Sequence, residues 1–248
     1  MQIYGSNANL GKRVMKVLIA ASLGILSASV GVSSVSAAGF NLDVTSSENC
    51  LSPNGCTTGV AHTVTIDFNS NLGAPSTGFA QYSPNGTTQL FTGSQSGLSA
   101  TPFKNTTPYL SLPTNKSAVI SFGGLVDYFG LYWGSVDTYN SVEFKKGGVS
   151  LATFGGQQIA NLVQSKFNLP SPQFASWTSN FTNVYVDFFA GSEAKQFDTV
   201  VLKSTGIAFE TDNHAYRAVK PVPVPGMVLG VIAAAGAFAA KRKKAAKA

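Results

Sequence analysis

The stretch Asp127-Tyr-Phe-Gly-Leu-Tyr-Trp133 is apolar or aromatic at nearly every position. A strand with one face in water alternates apolar and polar residues, whereas a strand covered on both faces does not. We therefore predict that Asp127–Trp133 is the central strand of the domain. The preceding segment Ser117–Phe122 also predicts a strand, and Gly123-Gly124 is predicted to end it.

A β-hairpin is predicted directly downstream, at Tyr139–Phe154 (YNSVEFKKGGVSLATF). Two alternating runs flank Gly147-Gly148, and glycine readily takes the positive φ angles that a two-residue hairpin turn requires. The next segment, Gln157–Lys166, has apolar residues on one helical face, which favours a short amphipathic helix.

The rest of the body favours further strands. They are predicted at His62–Asn69, Asn183–Phe189, Phe197–Lys203 and Gly206–Asp212, with Gln173–Trp177 crossing back between them. The body is rich in glycine, serine, threonine and asparagine, and only 11% of the chain is charged. This composition favours an all-β sandwich of roughly eight to ten strands over a helical bundle.

The C-terminal segment 221–248 has the order of a membrane-sorting signal. A Pro-Val-Pro-Val-Pro lead precedes the apolar run Met227–Ala240, and a basic cluster follows: Lys241, Arg242, Lys243 and Lys244. A bilayer core of about 30 Å needs about 20 helical residues, whereas this run has roughly 14 and spans about 21 Å. We predict a short transmembrane helix with its basic end in the cytoplasm. A buried core helix is the alternative.

This order resembles the PEP-CTERM sorting signals of exosortase-dependent bacterial surface proteins. The motif residues here are Pro223, Val224, Pro225 and Gly226, and Val224 stands where that family usually has glutamate. The resemblance implies an exosortase-type processing enzyme as a partner and contact with the membrane through the C-terminal helix.

The N-terminal segment is predicted to be a secretory signal peptide, residues 1–38. Lys12, Arg13 and Lys16 precede the apolar run Val17–Val32, and the small residues of Val35-Ser36-Ala37 fit a cleavage site. An uncleaved anchor is the alternative. Residues 39–220 are then the exported ectodomain, and residues 221–248 hold it at the cell envelope, cell surface or extracellular matrix.

The charge distribution argues against a nucleic-acid partner. The chain has a net charge of +6, with 17 basic and 11 acidic residues. Three basic residues lie in the leader and five in the tail, so nine remain in the body beside all 11 acidic residues. The body therefore carries a net charge of −2 and no basic excess for binding phosphates.

The two cysteines, Cys50 and Cys56, flank Leu-Ser-Pro-Asn-Gly, in which Ser-Pro-Asn-Gly favours a tight turn. In an exported protein we predict a disulfide between them. A metal site is not expected, because two thiols without a nearby histidine leave a tetrahedral ion half coordinated.

A second resemblance covers about residues 118–216. Its matching segments are Tyr128–Asn140, Phe197-Asp198 and Ala208–Asn213. They resemble the ectodomains of exosortase-dependent surface proteins from cyanobacteria and proteobacteria. The resemblance implies a jelly-roll-like β-sandwich displayed at the cell surface and no established enzymatic activity.

Two groups of residues are candidate binding sites. The first comprises Trp133, Asp137, Tyr139 and Asn140, whose aromatic rings and polar groups are of the kinds that bind a sugar. The alternative is that the aromatics are core residues and the polar ones cap turns. The second is a calcium site of Glu210, Asp212 and Asn213, joined by Asp127 or Asp198. Its alternative is that Glu210 and Asp212 share an ordinary solvated face.

No catalytic residues are predicted. The sequence lacks a G-x-S-x-G motif, its only histidines are His62 and His214, and carboxylate pairs arise by chance among 11 acids. We predict a structural or adhesive protein, without a cofactor other than possible calcium, that contacts a surface polysaccharide. A carbohydrate-binding, lectin-like module and a secreted hydrolase are the alternatives.

Overall fold

A computed structural model of the chain describes residues 35–50, 54–70, 73–83, 89–176 and 178–219. Within these ranges the chain forms twelve strands and one α-helix, so the predicted all-β class is confirmed. The strands are β1 (Val35–Ala37), β2 (Phe40–Ser46), β3 (Val64–Ile66), β4 (Ala80–Ser83), β5 (Gln89–Phe91), β6 (Tyr109–Leu112), β7 (Lys116–Gly134), β8 (Asn140–Lys146), β9 (Val149–Gly155), β10 (Val184–Ala190), β11 (Phe197–Ser204) and β12 (Phe209–Ala218). The helix, α1, is Gly156–Phe167.

The 19-residue strand β7 joins the two halves of one curled antiparallel sheet. Along its first half it pairs with β11 and β4, and along its second half with β10 and β12. One half of the sheet therefore runs β4-β7-β11-β8-β9. The other runs β1-β2-β10-β7-β12, and β12 also pairs with β3 and with β6, which pairs with β5.

The predicted end of a strand at Gly123-Gly124 is wrong, because both glycines lie inside β7. The backbone N–H of Gly123 donates a hydrogen bond to the carbonyl oxygen of Phe79, 2.7 Å away. A Cβ atom at Gly123 would lie 3.3 Å from the Phe79 ring. These glycines therefore allow another segment to approach closely while the strand continues.

The two halves of the sheet face each other across an aromatic core. Phe40 on β2 packs against Phe144 on β8 and Phe197 on β11, with ring centroids 4.8 and 6.1 Å apart. The predicted hairpin is confirmed as β8 and β9, which are joined at Gly147 and Gly148.

The predicted amphipathic helix is confirmed as α1. It buries Ile159, Leu162 and Val163 against the same core. Asn168 ends the helix in the left-handed conformation that is common just after a helix C-terminus.

The second half of β7 is buried on both faces, as predicted for Asp127–Trp133. Phe129 and Leu131 belong to the aromatic core, whereas Tyr128 and Tyr132 face the other way. The hydroxyl of Tyr128 donates to Asp187, and that of Tyr132 donates to the carbonyl oxygen of Phe103. The Tyr128 hydroxyl is also hydrogen-bonded to the hydroxyl oxygen of Thr58, so Thr58 and Phe103, which both lie outside the strands, cover part of this second face.

The predicted disulfide between Cys50 and Cys56 is present. Cys56 is buried against Tyr132 and Tyr185, and Cys50 packs beside them. The disulfide therefore fixes part of the covering layer over the second face of β7.

Other boundaries differ from the predictions. The strand predicted at His62–Asn69 is shorter in the structure and is limited to β3, because only three of its residues pair with β12. Its residue Val64 is 53% exposed. Residues 173–176 form no strand. β2 was not predicted, and β1 lies within residues 1–38, the predicted signal peptide.

Both predicted membrane segments lie largely or wholly outside the described residues. These are residues 1–34 of the leader and residues 220–248, which include the motif Pro223, Val224, Pro225 and Gly226 and the cluster Lys241, Arg242, Lys243 and Lys244. In the part of the chain that is described, no helix combines the length and the apolar character needed to cross a membrane.

Candidate functional site

Four parts of the chain line a partly open cavity of about 430 Å³ at one end of the sheet. They are residues 94–100 between β5 and β6, residues 135–139 after β7, Ala175, and residues 207–210 at the start of β12. We call this cavity the loop pocket. Its volume falls within the range of about 300–1,000 Å³ that is typical of small-molecule sites.

Asp137 lies in the wall of the loop pocket and is 7% exposed. The hydroxyl oxygen of Tyr139 lies 2.9 Å from Asp137 Oδ2 and 2.7 Å from the carbonyl oxygen of Ile207. Burial raises the pKa of Asp137, although the hydrogen bond from Tyr139 opposes that shift. Burial and the adjacent Asp137 also raise the pKa of Tyr139, which therefore stays protonated at neutral pH.

Glu210 supplies a second carboxyl group to the loop pocket and is only 2% exposed. The backbone N–H of Ala100 donates to Glu210 Oε1 at 2.9 Å. Burial, together with the negative charge of Asp137, raises the pKa of Glu210 to about 7, while the Ala100 hydrogen bond acts in the opposite direction. The Glu210 carboxyl group therefore changes between its protonated and ionised forms near neutral pH.

The pocket also has an apolar rim. Leu98 and Ile207 are 54% and 59% exposed, and both line the cavity, as Tyr139 does. Large aliphatic side chains that are exposed in this way are available for contact with a ligand. The loop pocket thus combines an apolar rim with an acidic interior.

The structure brings together three of the predicted site residues, Asp137, Tyr139 and Glu210, in one cavity. Sequence reasoning had assigned Glu210 to a separate calcium site. It also missed the wall at residues 94–100, which the sequence showed only as a polar run between Gly93 and Gly97.

Trp133 and Asn140 do not line the loop pocket. Trp133 is fully buried on the core face of β7, and its ring lies 4.5 Å from that of Phe209. Asn140 is 1% exposed, and its amide donates to the carbonyl oxygen of Ala208 at 3.0 Å. The prediction that these two side chains face a ligand is corrected, because one packs in the core and the other ties two segments together.

The proposed calcium residues have separate partners. Asn105 donates to Asp212 Oδ2 at 2.6 Å, and the backbone N–H of Asn213 donates to Asp212 Oδ1 at 2.7 Å. The amide of Asn213 donates to the carbonyl oxygen of Cys56. In the described ranges, no group of three or more histidine, cysteine, aspartate or glutamate side chains is placed to hold a metal ion.

Asp127 and Asp198 do not join these residues. Asp127 pairs with Arg217 at 2.8 Å, and Asp198 accepts a hydrogen bond from the backbone of Gly147 at 2.7 Å. The face of β12 that carries Glu210 and Asp212 is also not solvated, because residues 99–105 cover it and supply the hydrogen bonds to both carboxyl groups.

His214, a candidate for hydrolytic chemistry, is buried in the core. Its two ring nitrogens lie 2.7 Å from the Tyr82 hydroxyl and 2.9 Å from Thr211 Oγ1. Burial lowers its pKa to about 3, so the ring is neutral at physiological pH. His62 is exposed and has a φ of +62°. Neither histidine lines the loop pocket.

We expect the free energy of unfolding to fall by about 2 kcal/mol between pH 6.5 and pH 8. Burial raises the pKa of Asp212 from 3.8 to about 8, so in this window the folded state holds a proton that the unfolded state has released. Raising the pH therefore favours unfolding. Glu210, with a pKa of about 7, acts in the same direction.

The buried His214 has the opposite effect, but only below pH 6.5. Its pKa is 6.5 in the unfolded state and about 3 in the folded state, so acidification below 6.5 favours unfolding. Urea unfolding at pH 6.5 and pH 8 measures the carboxyl effect, and Asp212→Asn is expected to remove most of it. Equal stability of the unmodified chain at the two pH values would contradict this assignment.

Comparisons with known proteins do not place the chain in a family. No protein-family model matches it, and no curated protein or solved structure matches it. The resemblance to PEP-CTERM surface proteins therefore stays a prediction. The binding function proposed below is inferred from the geometry of the loop pocket.

Proposed function

We propose that this chain is an exported, adhesive protein of the bacterial cell surface and that its loop pocket binds a carbohydrate. The observation that carries the binding proposal is the loop pocket itself, in which Asp137, Tyr139 and Glu210 meet beneath exposed Leu98 and Ile207. Carboxyl groups accept hydrogen bonds from sugar hydroxyls, and the tyrosine hydroxyl both accepts hydrogen bonds from them and donates hydrogen bonds to them. Tyrosine and aliphatic side chains pack against the apolar faces of sugar rings.

The ends of the chain support the export part of the proposal. In residues 1–38, basic residues precede an apolar run that is followed by small residues, and this order is typical of a signal peptide. The proline, apolar and basic order in residues 221–248 fits an exosortase-type sorting signal with a short membrane helix. The disulfide between Cys50 and Cys56 is consistent with an oxidising compartment.

We further propose that the curled sheet is a jelly-roll-like sandwich. The long shared strand β7 and the facing aromatic side chains support this assignment. A rigid sheet of this kind holds the loop segments 94–100 and 135–139 at one end, where a surface-displayed protein meets its ligand.

A glycan array probed with the full chain tests the binding proposal. Leu98→Ser is expected to weaken binding roughly fivefold or more, because it removes apolar contact at the rim of the pocket. Val149→Ser is the matched control, since Val149 is an aliphatic residue of similar exposure, at 67%, that does not line the pocket. Absence of binding to every glycan, or equal loss in both variants, would contradict the proposal.

Mass spectrometry of the mature chain from its native host tests export and sorting. We expect loss of the leader near residues 37–38 and cleavage near the motif Pro223–Gly226. Recovery of the intact, reduced chain from the cytosol would overturn this part of the proposal and leave the binding test unaffected.

A further inference from the structure

The acidic interior of the loop pocket lacks a cationic partner within the described protein. Three partly buried carboxylates elsewhere in the domain are paired with bases: Asp43 with Lys166, Asp127 with Arg217, and Glu143 with Lys203. The buried Asp187 and Asp212 form no ion pair within the described ranges, but each accepts two hydrogen bonds from protein groups and neither lines the loop pocket. Asp137 and Glu210 have no such ion pair among the described residues, and no lysine, arginine or histidine lines the pocket. A buried carboxylate without a counter-charge is costly, and an incoming cation relieves that cost.

We propose that the loop pocket selects sugars that carry a free, protonated amine, such as an unacetylated hexosamine unit of a polysaccharide. This inference rests on the carbohydrate-binding function proposed above and specifies its ligand class. The ammonium group lies between Asp137 and Glu210, and the apolar face of the sugar ring packs on the rim formed by Leu98, Ile207 and Tyr139.

The same geometry disfavours the other classes of ligand. A uronic acid or a phosphorylated sugar would bring negative charge next to two carboxyl groups, without a basic side chain to compensate. A neutral sugar would form no ion pair with Asp137 or Glu210, and burial would favour the protonated form of Glu210 instead. Calcium prefers six to eight oxygen ligands in a compact shell, whereas the pocket offers two carboxyl groups in about 430 Å³.

Protonation of Glu210 couples this selectivity to pH. The groups that face Glu210 and influence its charge are Asp137, Tyr139 and Tyr109, and the two tyrosines remain neutral because burial raises their pKa values. An ammonium ion prefers the carboxylate form of Glu210, so binding below pH 7 releases a proton from the pocket. Affinity is expected to decline as the pH falls below 7 because Glu210 is protonated, and to decline again on the alkaline side of neutrality because the hexosamine amine loses its charge there.

Isothermal titration of the full chain with two tetrasaccharides of equal length tests the inference. One consists of β-1,4-linked glucosamine and the other of N-acetylglucosamine, so they differ in the charge and acetylation of the amine. We expect the free-amine form to bind at least about tenfold more tightly at pH 6.5, where a large share of the hexosamine amines carries its proton. Titrations in buffers of different ionisation enthalpy are expected to show net proton release at pH 5.5, where the free amine already carries its proton and the unliganded Glu210 is protonated.

Two variants with a matched control assign the effect to the pocket. Glu210→Gln and Asp137→Asn are expected to abolish most of the preference for the free amine, and Glu210→Gln also removes the proton release. Glu143→Gln is the control, because its carboxylate pairs with Lys203 outside the pocket. Thermal unfolding of each variant establishes that it is folded, and Asp137→Asn provides a second test where Glu210→Gln does not fold.

The outcomes separate this inference from the function on which it rests. Equal affinity for the two tetrasaccharides would overturn the ammonium selectivity and leave carbohydrate binding intact. Binding that requires added calcium would also overturn it. Failure of the chain to bind any glycan on the array would overturn both the function and the inference.

Discussion

Replacing Phe144 by alanine is expected to lower the free energy of unfolding by about 4 kcal/mol. Phe144 is fully buried on β8, in the middle of the aromatic core. Its ring centroid lies 4.8 to 6.3 Å from those of five others: Phe40, Phe129, Phe154, Phe188 and Phe197. These partners come from both halves of the curled sheet, so a cavity at Phe144 weakens the contact between the halves.

Urea unfolding followed by tyrosine and tryptophan fluorescence measures this effect. Phe144→Leu is expected to cost clearly less, because leucine retains most of the apolar volume. Val149→Ala on the same hairpin is the control, since Val149 is 67% exposed and its truncation is expected to change stability by less than about 0.5 kcal/mol. A loss for Phe144→Ala no larger than that of the control would contradict the proposed core.

The local elements of this fold could be predicted from the sequence. The hairpin of β8 and β9 is encoded by two alternating runs and a Gly-Gly turn, and α1 by one apolar helical face. Each of these two signals lies within a single run of at most about 16 contiguous residues, where periodicity is most informative. The central position of Asp127–Trp133 was also predictable, because the segment lacks a polar face.

Features that depend on distant segments could not be predicted. Gly123-Gly124 has the composition of a strand end, and only the approach of Phe79 explains why β7 continues through it. The direction of each aromatic side chain was equally ambiguous. Trp133 faces the core and Tyr139 the pocket, and that choice depends on where β7 ends relative to the covering loop.

The candidate site was only half predictable for the same reason. Asp137 and Tyr139 stood out as polar and aromatic neighbours after a central strand. Glu210 is 71 residues beyond Tyr139 in the sequence, and antiparallel pairing of β12 with β7 brings it to Gly134 and so to the same end of the sheet. Its burial depends on residues 99–105, which carry no pattern that reveals what they cover.

Gly156→Ala is the second substitution with a large expected effect. Helix propensity alone would predict that it stabilises the chain, whereas we expect it to destabilise the chain. Alanine is favoured over glycine in helices by about 1 kcal/mol, and Gly156 is the first residue of α1. A Cβ atom at this position, however, would lie 1.9 Å from the carbonyl oxygen of Asp137 and 2.7 Å from its carbonyl carbon. Both are backbone atoms, so no side-chain rotation relieves the overlap.

Because the overlap outweighs the gain in propensity, Gly156→Ala is expected to destabilise the chain by about 3 kcal/mol and to displace Asp137 from the loop pocket. Thermal unfolding and glycan titration measure the two effects.

The neighbouring Gly155→Ala is the control: its Cβ would lie 3.8 Å from the carbonyl oxygen of Asn140, and we expect a cost of about 1 kcal/mol or less. A Gly156→Ala variant with unchanged stability and unchanged binding would show that α1 does not hold Asp137 in place. Loss of binding in Gly156→Ala but not in Gly155→Ala would show that the packing of α1 against residue 137 positions the acidic group of the pocket.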